Sequence, residues 1–156
     1  MTDAEFAVES TKLRDELAAY KLEVENTFLD VRETVKQFPN APASDPDDIV
    51  DSTDPNFVYA GELHTWNFIM IDFWAIDMMF KSQMCTAQRL PPSQQVIELS
   101  FTICKMFEAL QYAATDQKAI ILGAQASLGI AALYLPRDHK HTMWARRKYA
   151  LIEECG

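Results

Sequence analysis

The chain has 156 residues, 49% of them hydrophobic, and a formal net charge of −9. That is one domain's worth of chain with enough apolar material for a sizeable core, and its acidity argues against bulk affinity for nucleic acid or an anionic membrane. Cys85, Cys104 and Cys155 have no short paired spacing, so they make no disulfide framework and suit a reducing compartment. The 4 Gly and 7 Pro favour long helices, and the opening MTDAEFAVES is too acidic and polar for a secretory signal.

Thr2 to Phe38 reads as one long amphipathic helix. Phe6, Leu13, Leu17, Tyr20, Val24, Phe28, Val31, Val35 and Phe38 recur mostly in steps of three and four. Thr2 or Asp3 caps its start and Pro39 ends it. The steps slip between Tyr20 and Phe28, so the pattern is not a strict heptad. A helix lying on a domain is the plainer reading, and a coiled-coil arm that recruits a second chain is the sharper one.

Residues 39–56 form an acidic loop with Pro42, Pro46 and Pro55 among small and acidic residues, a composition that buries little. It contains Asp47-Asp48-Ile49-Val50-Asp51, literally the DDxxD string of terpene synthases. Such acids hold magnesium against a diphosphate only when they project from a helix face into an apolar cavity. Flanking prolines and the lack of a second metal motif make it a solvated loop.

Residues 57–156 read as a helical domain. Phe57 to Met84 is a helical region broken near Gly61, crowded with Trp66, Phe68, Ile69, Phe73, Trp74, Ile76, Met79 and Phe80. Asp72 and Asp77 exclude a membrane span there. The crowding is read as core packing, with an aromatic ligand pocket as the alternative. Leu90-Pro91-Pro92 is a stop, and Val96, Leu99, Ile103, Met106, Phe107 and Leu110 stripe the next helix, Gln94 to Ala114. Cys104 lies near the stripe as a small buried apolar residue.

Ala119 to Leu135 is apolar almost all round and is expected to be the buried central helix; Thr115 or Asp116 caps it and Pro136 ends it. Gly123 or Gly129 is expected at a close helix contact. A final helix starts at a cap, Asp138 or Thr142, and turns Trp144, Leu151 and Ile152 inwards. Arg137, Lys140, Arg146, Arg147 and Lys148 form a basic cluster in an acidic chain. They are the candidate partner-contacting face, against the plainer reading of a solvated helix face paired with acids elsewhere. His139 and His141 have no third ligand type nearby, so no metal and no cofactor is expected.

The stretch Pro92 to Gly156 resembles the C-terminal part of the fungal-specific transcription factor regulatory domain, found in zinc binuclear cluster activators. The residues that carry the likeness are Leu99-Ser100-Phe101-Thr102-Ile103-Cys104 with Phe107-Glu108-Ala109-Leu110, then Ala124-Gln125-Ala126-Ser127-Leu128 with Ile130-Ala131-Ala132-Leu133-Tyr134-Leu135-Pro136. Met143-Trp144-Ala145-Arg146-Arg147-Lys148 and Ile152-Glu153-Glu154-Cys155-Gly156 follow them. The family's DNA-binding module needs six cysteines on two zinc ions; with three scattered ones this chain builds none. It is either a fragment of a larger regulator or a short protein keeping part of the regulatory domain.

The expectation is therefore an all-α domain of about five helices. The resemblance implies a regulatory or interaction domain of a fungal-type transcription regulator, of a metabolic or biosynthetic gene cluster. It would be nuclear, with cytoplasm as second choice, and would work through protein partners: a DNA-binding regulator or a second copy of itself. No enzyme activity, specific DNA binding or membrane insertion is expected. The alternative is a small helical enzyme or ligand-binding module with a pocket among Trp66, Phe73, Trp74 and Trp144 and Asp72 or Asp77 as its polar group.

Overall fold

The structure, a computed structural model, describes residues 2–27, 33–42, 47–113 and 117–156. It contains five α-helices, and among the described residues its only β-pairing is one isolated bridge, so the fold is all-α. The chain divides into two compact units, Met1–Arg32 and Glu33–Gly156.

The first unit is helix α1, Asp3–Thr27. Its start is a reciprocal cap. The Glu5 N–H donates to the Thr2 hydroxyl at 3.3 Å, and the Thr2 N–H donates to the Glu5 carboxylate at 2.6 Å, satisfying two donors that a helix start leaves open. These bonds hold the Glu5 carboxyl below its usual range.

The helix expected to reach Phe38 is described over Asp3–Thr27, and Phe28 and Val31 lie outside the described residues. Thr34 and Val35 are instead extended and belong to the second unit. The Val35 N–H donates to the Val58 carbonyl at 2.8 Å, and the Ala60 N–H donates to the Glu33 carbonyl at 2.6 Å, around a Thr34–Tyr59 bridge. Two adjacent β-branched residues are stiff in a helix, and the pairing gives their backbone another partner.

Of the expected solvated loop, residues 47–56 are more than that. Ile49 and Val50 pack against the core, Lys105 donates to the Asp54 carboxylate at 2.7 Å, and the same ammonium lies 4.3 Å from the Phe57 ring centre. The domain thus begins before residue 57. Of the DDxxD acids, Asp51 serves the loop itself: it accepts from the Thr53 N–H at 3.0 Å and from its hydroxyl at 3.1 Å, which keeps its carboxyl below the usual range.

A 3₁₀ turn, Gly61–Thr65, opens on a left-handed Gly61 (φ 58°) and leads into α2, Trp66–Ala87. Helix α2 ends with Arg89 left-handed at φ 56° and the Leu90 N–H on the Cys85 carbonyl at 2.8 Å, ahead of the two prolines. Next come α3, Gln94–Ala113, α4, Gln117–Ala132, and α5, His139–Cys155. The expected α4 caps Thr115 and Asp116 lie outside the described residues. Asp138 caps α5, accepting from the His141 N–H at 3.0 Å.

Helices α3 and α4 share the central place: α4 packs on α2, α3 and α5, and α3 packs on α2 and α4 and is the more buried of the two. In α3, Ser100, Ile103, Cys104, Met106, Phe107, Glu108, Ala109 and Leu110 are buried. Helix α4, expected to be surrounded, buries one face: Ile121, Ala124, Ser127, Leu128 and Ala131. Lys118, Ala119, Gly123, Gln125 and Ala126 are exposed. Most of these outward positions are Gly or Ala and expose little apolar area, so the helix tolerates water despite its composition. Polar ties fix the α4 register: Ser100 donates to the Ala131 carbonyl at 2.9 Å and Ser127 to the Asp72 carboxylate at 2.6 Å. Among the described residues no helix is long and apolar enough to cross a membrane.

The two glycines of α4 differ. A Cβ at Gly123 would lie 2.9 Å from the Phe68 ring, whereas one at Gly129 would meet nothing within 4 Å. Gly123→Leu is expected to destabilise by about 1–3 kcal/mol through overpacking, and Gly129→Ala to stabilise by up to about 1 kcal/mol through helix propensity. Urea unfolding of both variants checks this; equal effects would show that α2 does not approach α4 at Gly123.

Candidate functional site

Helix α5 carries most of the basic cluster, and helical geometry spreads it. Successive residues are about 100° apart around a helix, so Arg146, Arg147 and Lys148 cannot share a face. Lys148 follows Trp144 by four residues and turns inwards with it. Trp144 is 0% exposed and Lys148 6%.

The carboxylate of Glu108, 1% exposed, waits for them in the C-terminal third of α3. Lys148 Nζ donates to Glu108 Oε1 at 2.6 Å and to Gln111 Oε1 at 2.9 Å. Trp144 Nε1 donates to Glu108 Oε2 at 3.3 Å, and the Tyr112 hydroxyl lies 3.5 Å from Oε1. The ammonium also lies 5.5 Å from the ring centres of both Tyr112 and Trp144. Among the described residues no buried side-chain N or O lacks a partner. Lys148 therefore leaves the predicted partner-contacting face, because a buried carboxylate captures it.

Arg147 turns to the loop, 3.9 Å from the Asp48 carboxylate. With Glu108, Gln111, Tyr112, Glu154 and Pro42 these two line a cavity of about 450 Å³ beside the buried pair. Burial and then the Glu108 carboxylate push the Tyr112 hydroxyl up to about 12. The same two causes, in the same order, push the Cys104 thiol up to about 12, so Cys104 stays a neutral core residue and is no nucleophile.

Arg137 and Arg146 meet elsewhere, at the corner where α4 turns into α5. They flank a groove of about 490 Å³ whose walls include Leu133, Leu135, Pro136, Ala145 and Tyr149, with His141 and Thr142 at one side. Leu133 is 67% exposed and Tyr149 42%, an uncommon outlay of apolar surface on one corner. His141 is held there by its Nδ1 contact with the Asp138 carboxylate at 2.8 Å and by an edge contact with Phe101, ring centres 5.5 Å apart. The bonds from His141 to Asp138, the backbone one first, keep the Asp138 carboxyl below its usual range. Lys140 is exposed and lines neither cavity. Two guanidiniums over an apolar floor suit a ligand that carries carboxylates beside apolar side chains.

The aromatic set proposed as a pocket does not line either cavity, nor the one of about 610 Å³ along residues 48–53. Trp144 belongs to the Glu108 cluster, Trp74 stacks on Phe57 with ring centres 6.2 Å apart, Asp72 accepts from Ser127, and Asp77 pairs with Lys81. Among the described residues no three His, Cys, Asp or Glu side chains come together as a metal site. The sequence reading missed Glu108, Gln111, Tyr112, Leu133 and Tyr149. A signal for the first existed: Glu108 sits four residues after Cys104, inside the apolar stripe.

Comparison with protein-family models, curated proteins and solved structures finds no match to this chain.

Two outcomes are expected from the Glu108 cluster. Lys148→Ala leaves a buried carboxylate unpaired and is expected to cost about 3–5 kcal/mol, whereas Lys148→Met with Glu108→Leu is expected to cost far less. Urea unfolding of both variants decides it, and equal losses would show that packing rather than charge dominates. The second outcome concerns alkaline stability. An ordinary thiol ionises near 9.0 and the native Cys104 thiol near 12. Between those values the unfolded chain holds fewer protons than the native one, so stability is full below about pH 9 and falls as pH rises. Cys104→Ala is expected to flatten that fall by about one proton's slope; an unchanged slope in urea midpoints taken across the window would refute it.

Proposed function

We propose that this chain is a regulatory and interaction domain of a fungal-type transcription regulator, serving a metabolic or biosynthetic gene cluster in the nucleus. It works through protein partners, among them a DNA-binding regulator, and performs no catalysis. The observation that carries the interaction part is the arginine-flanked apolar groove at the α4–α5 corner, lined by Leu133, Arg137, Arg146 and Tyr149. In a chain of net charge −9, a local positive rim around an apolar floor steers acidic, amphipathic segments and fixes their register.

The regulator part rests on the family resemblance, and the arrangement of its motif blocks supports it. The Phe107–Leu110 block supplies Glu108, the Met143–Lys148 block supplies Trp144 and Lys148, and these side chains meet in the core. The Leu99–Cys104 and Ile130–Pro136 blocks meet through Ser100 and the Ala131 carbonyl. These resembling residues thus pack together, and Leu133, Leu135, Pro136, Ala145 and Arg146 of the same blocks line the groove.

Direct DNA binding is not part of this function. Of the five cations in the cluster, Lys148 is buried and Arg147 faces Asp48, so few remain to release counterions from phosphates. The test joins the full chain to an unrelated DNA-binding domain in a fungal host and reads transcription from its promoter, with a fluorescent fusion reporting location. The expected result is a nuclear signal and altered transcription, reduced severalfold by Arg137→Glu with Arg146→Glu. Exclusion from the nucleus together with unaltered transcription would sink the proposal. Fluorescence anisotropy of the chain on mixed DNA fragments at about 150 mM salt is expected to show no sub-micromolar binding.

A further inference from the structure

The chain holds 23 Asp and Glu against 14 Lys and Arg, so its cations have acids to spare. Lys148 is held by Glu108, and Arg147 faces Asp48. Arg137 and Arg146, at the α4–α5 corner, make no hydrogen bond or ion pair among the described residues. Asp138, an acid on the same corner, is engaged by His141, through the backbone N–H at 3.0 Å and the ring at 2.8 Å. Two guanidiniums thus stand uncompensated on the rim of one groove.

The walls decide what backbone can enter. They are the end of α4, the turn after it and one face of α5, so the groove offers side chains rather than an open strand edge. An extended segment docks by adding to such an edge. A helix arrives with its own peptide groups bonded and needs side chains alone. Arg137 precedes α5 and Arg146 lies two turns into it, on the order of 12 Å apart along its axis. On an occupant helix, two carboxylates seven residues apart share a face at about 10 Å, and residues three and four places after the first face the floor between them. We infer that the groove takes an amphipathic helix of a partner protein, with two carboxylates two turns apart and apolar side chains between them on the same face. This rests on the interaction reading of the groove given above and names what enters it.

Each part of that helix has a counterpart. The carboxylates meet guanidiniums, whose forked donors suit them. The apolar side chains cover Leu133 and the Tyr149 ring, the most exposed parts of the floor. A phosphate backbone would use the cations and leave that apolar surface in water.

The probe is a labelled, alanine-rich helical peptide with two glutamates seven residues apart and two leucines between them on the same face. Fluorescence anisotropy follows its titration with the full chain up to high micromolar concentration, at low and at high salt. Saturable binding that weakens with salt is expected. Arg137→Glu with Arg146→Glu is expected to weaken it by about tenfold or more, and Leu133→Ser severalfold. Lys140→Glu, a charge reversal outside the groove, is expected to cost less than about twofold. A peptide with lysines in place of the glutamates is expected to prefer the doubly reversed variant to the natural chain. The substituted side chains are exposed, and far-ultraviolet circular dichroism of each variant confirms that the helices persist. No saturable binding by the natural chain, equal binding by the doubly reversed variant, or equal binding of the same peptide broken by a central proline would each overturn the inference. The readout is binding between purified components, so it is independent of the location and promoter activity that judge the proposed function. A failure here with that activity intact discards the helix and keeps the function.

Discussion

A carboxylate buried in the C-terminal third of α3 is the constraint on which the Glu33–Gly156 unit depends. Glu108 sits among Phe107, Ala109 and Leu110 with almost no exposure, where an unpaired charge costs several kcal/mol. Its satisfaction demands a cation and further donors at fixed positions, and α5 supplies Lys148 and Trp144 one helical turn apart. Apolar contact alone would let α5 slide or rotate; two directed bonds to one carboxylate leave a single register. The groove at the α4–α5 corner inherits that precision, since Arg146 and Tyr149 project from the same short helix.

Around this centre the elements use different means to approach α3. Helix α4 comes close through small side chains: Ala124, Ser127 and Ala131 face inwards, and a hydroxyl from α3 meets the Ala131 carbonyl. Helix α2 brings bulk instead, with Ile71, Phe73 and Met78 buried. The Tyr134 hydroxyl donates to Ser82 at 2.7 Å, tying the turn after α4 back to α2. The interior is therefore polar at a few chosen points and satisfied at each of them, which favours one packing over many of similar apolar content.

How much of this the sequence disclosed depends on the range of the forces involved. The existence of the helices was legible, because apolar periodicity and the Pro-rich stops are local. The Ala119–Leu135 helix is central, touching α2, α3 and α5, but is not surrounded, because composition counts an outward Ala or Gly as apolar although it exposes little surface. Thr34 and Val35 were read into a helix because their partners at 56–60 lie some twenty residues away, beyond any periodicity window. The basic cluster was visible as charge, but its division was not, since a capture of Lys148 forty residues from Glu108 leaves no local mark beyond the four-residue spacing from Trp144.

The paired backbone around Thr34 and Tyr59 shows how a lone β-rung survives in a helical protein. Around the Thr34–Tyr59 bridge, the neighbouring residues 33, 35, 58 and 60 exchange the backbone bonds, so the N–H and carbonyl of Tyr59 point the other way. Both meet the buried Asn67 side chain: the N–H donates to Oδ1 at 2.8 Å and the carbonyl accepts from Nδ2 at 2.9 Å. A side-chain amide has the same donor and acceptor geometry as a peptide unit, and here it stands in for a third strand one residue long. The edge at Tyr59 is thereby closed to strand addition by another chain, the hazard that exposed backbone edges carry.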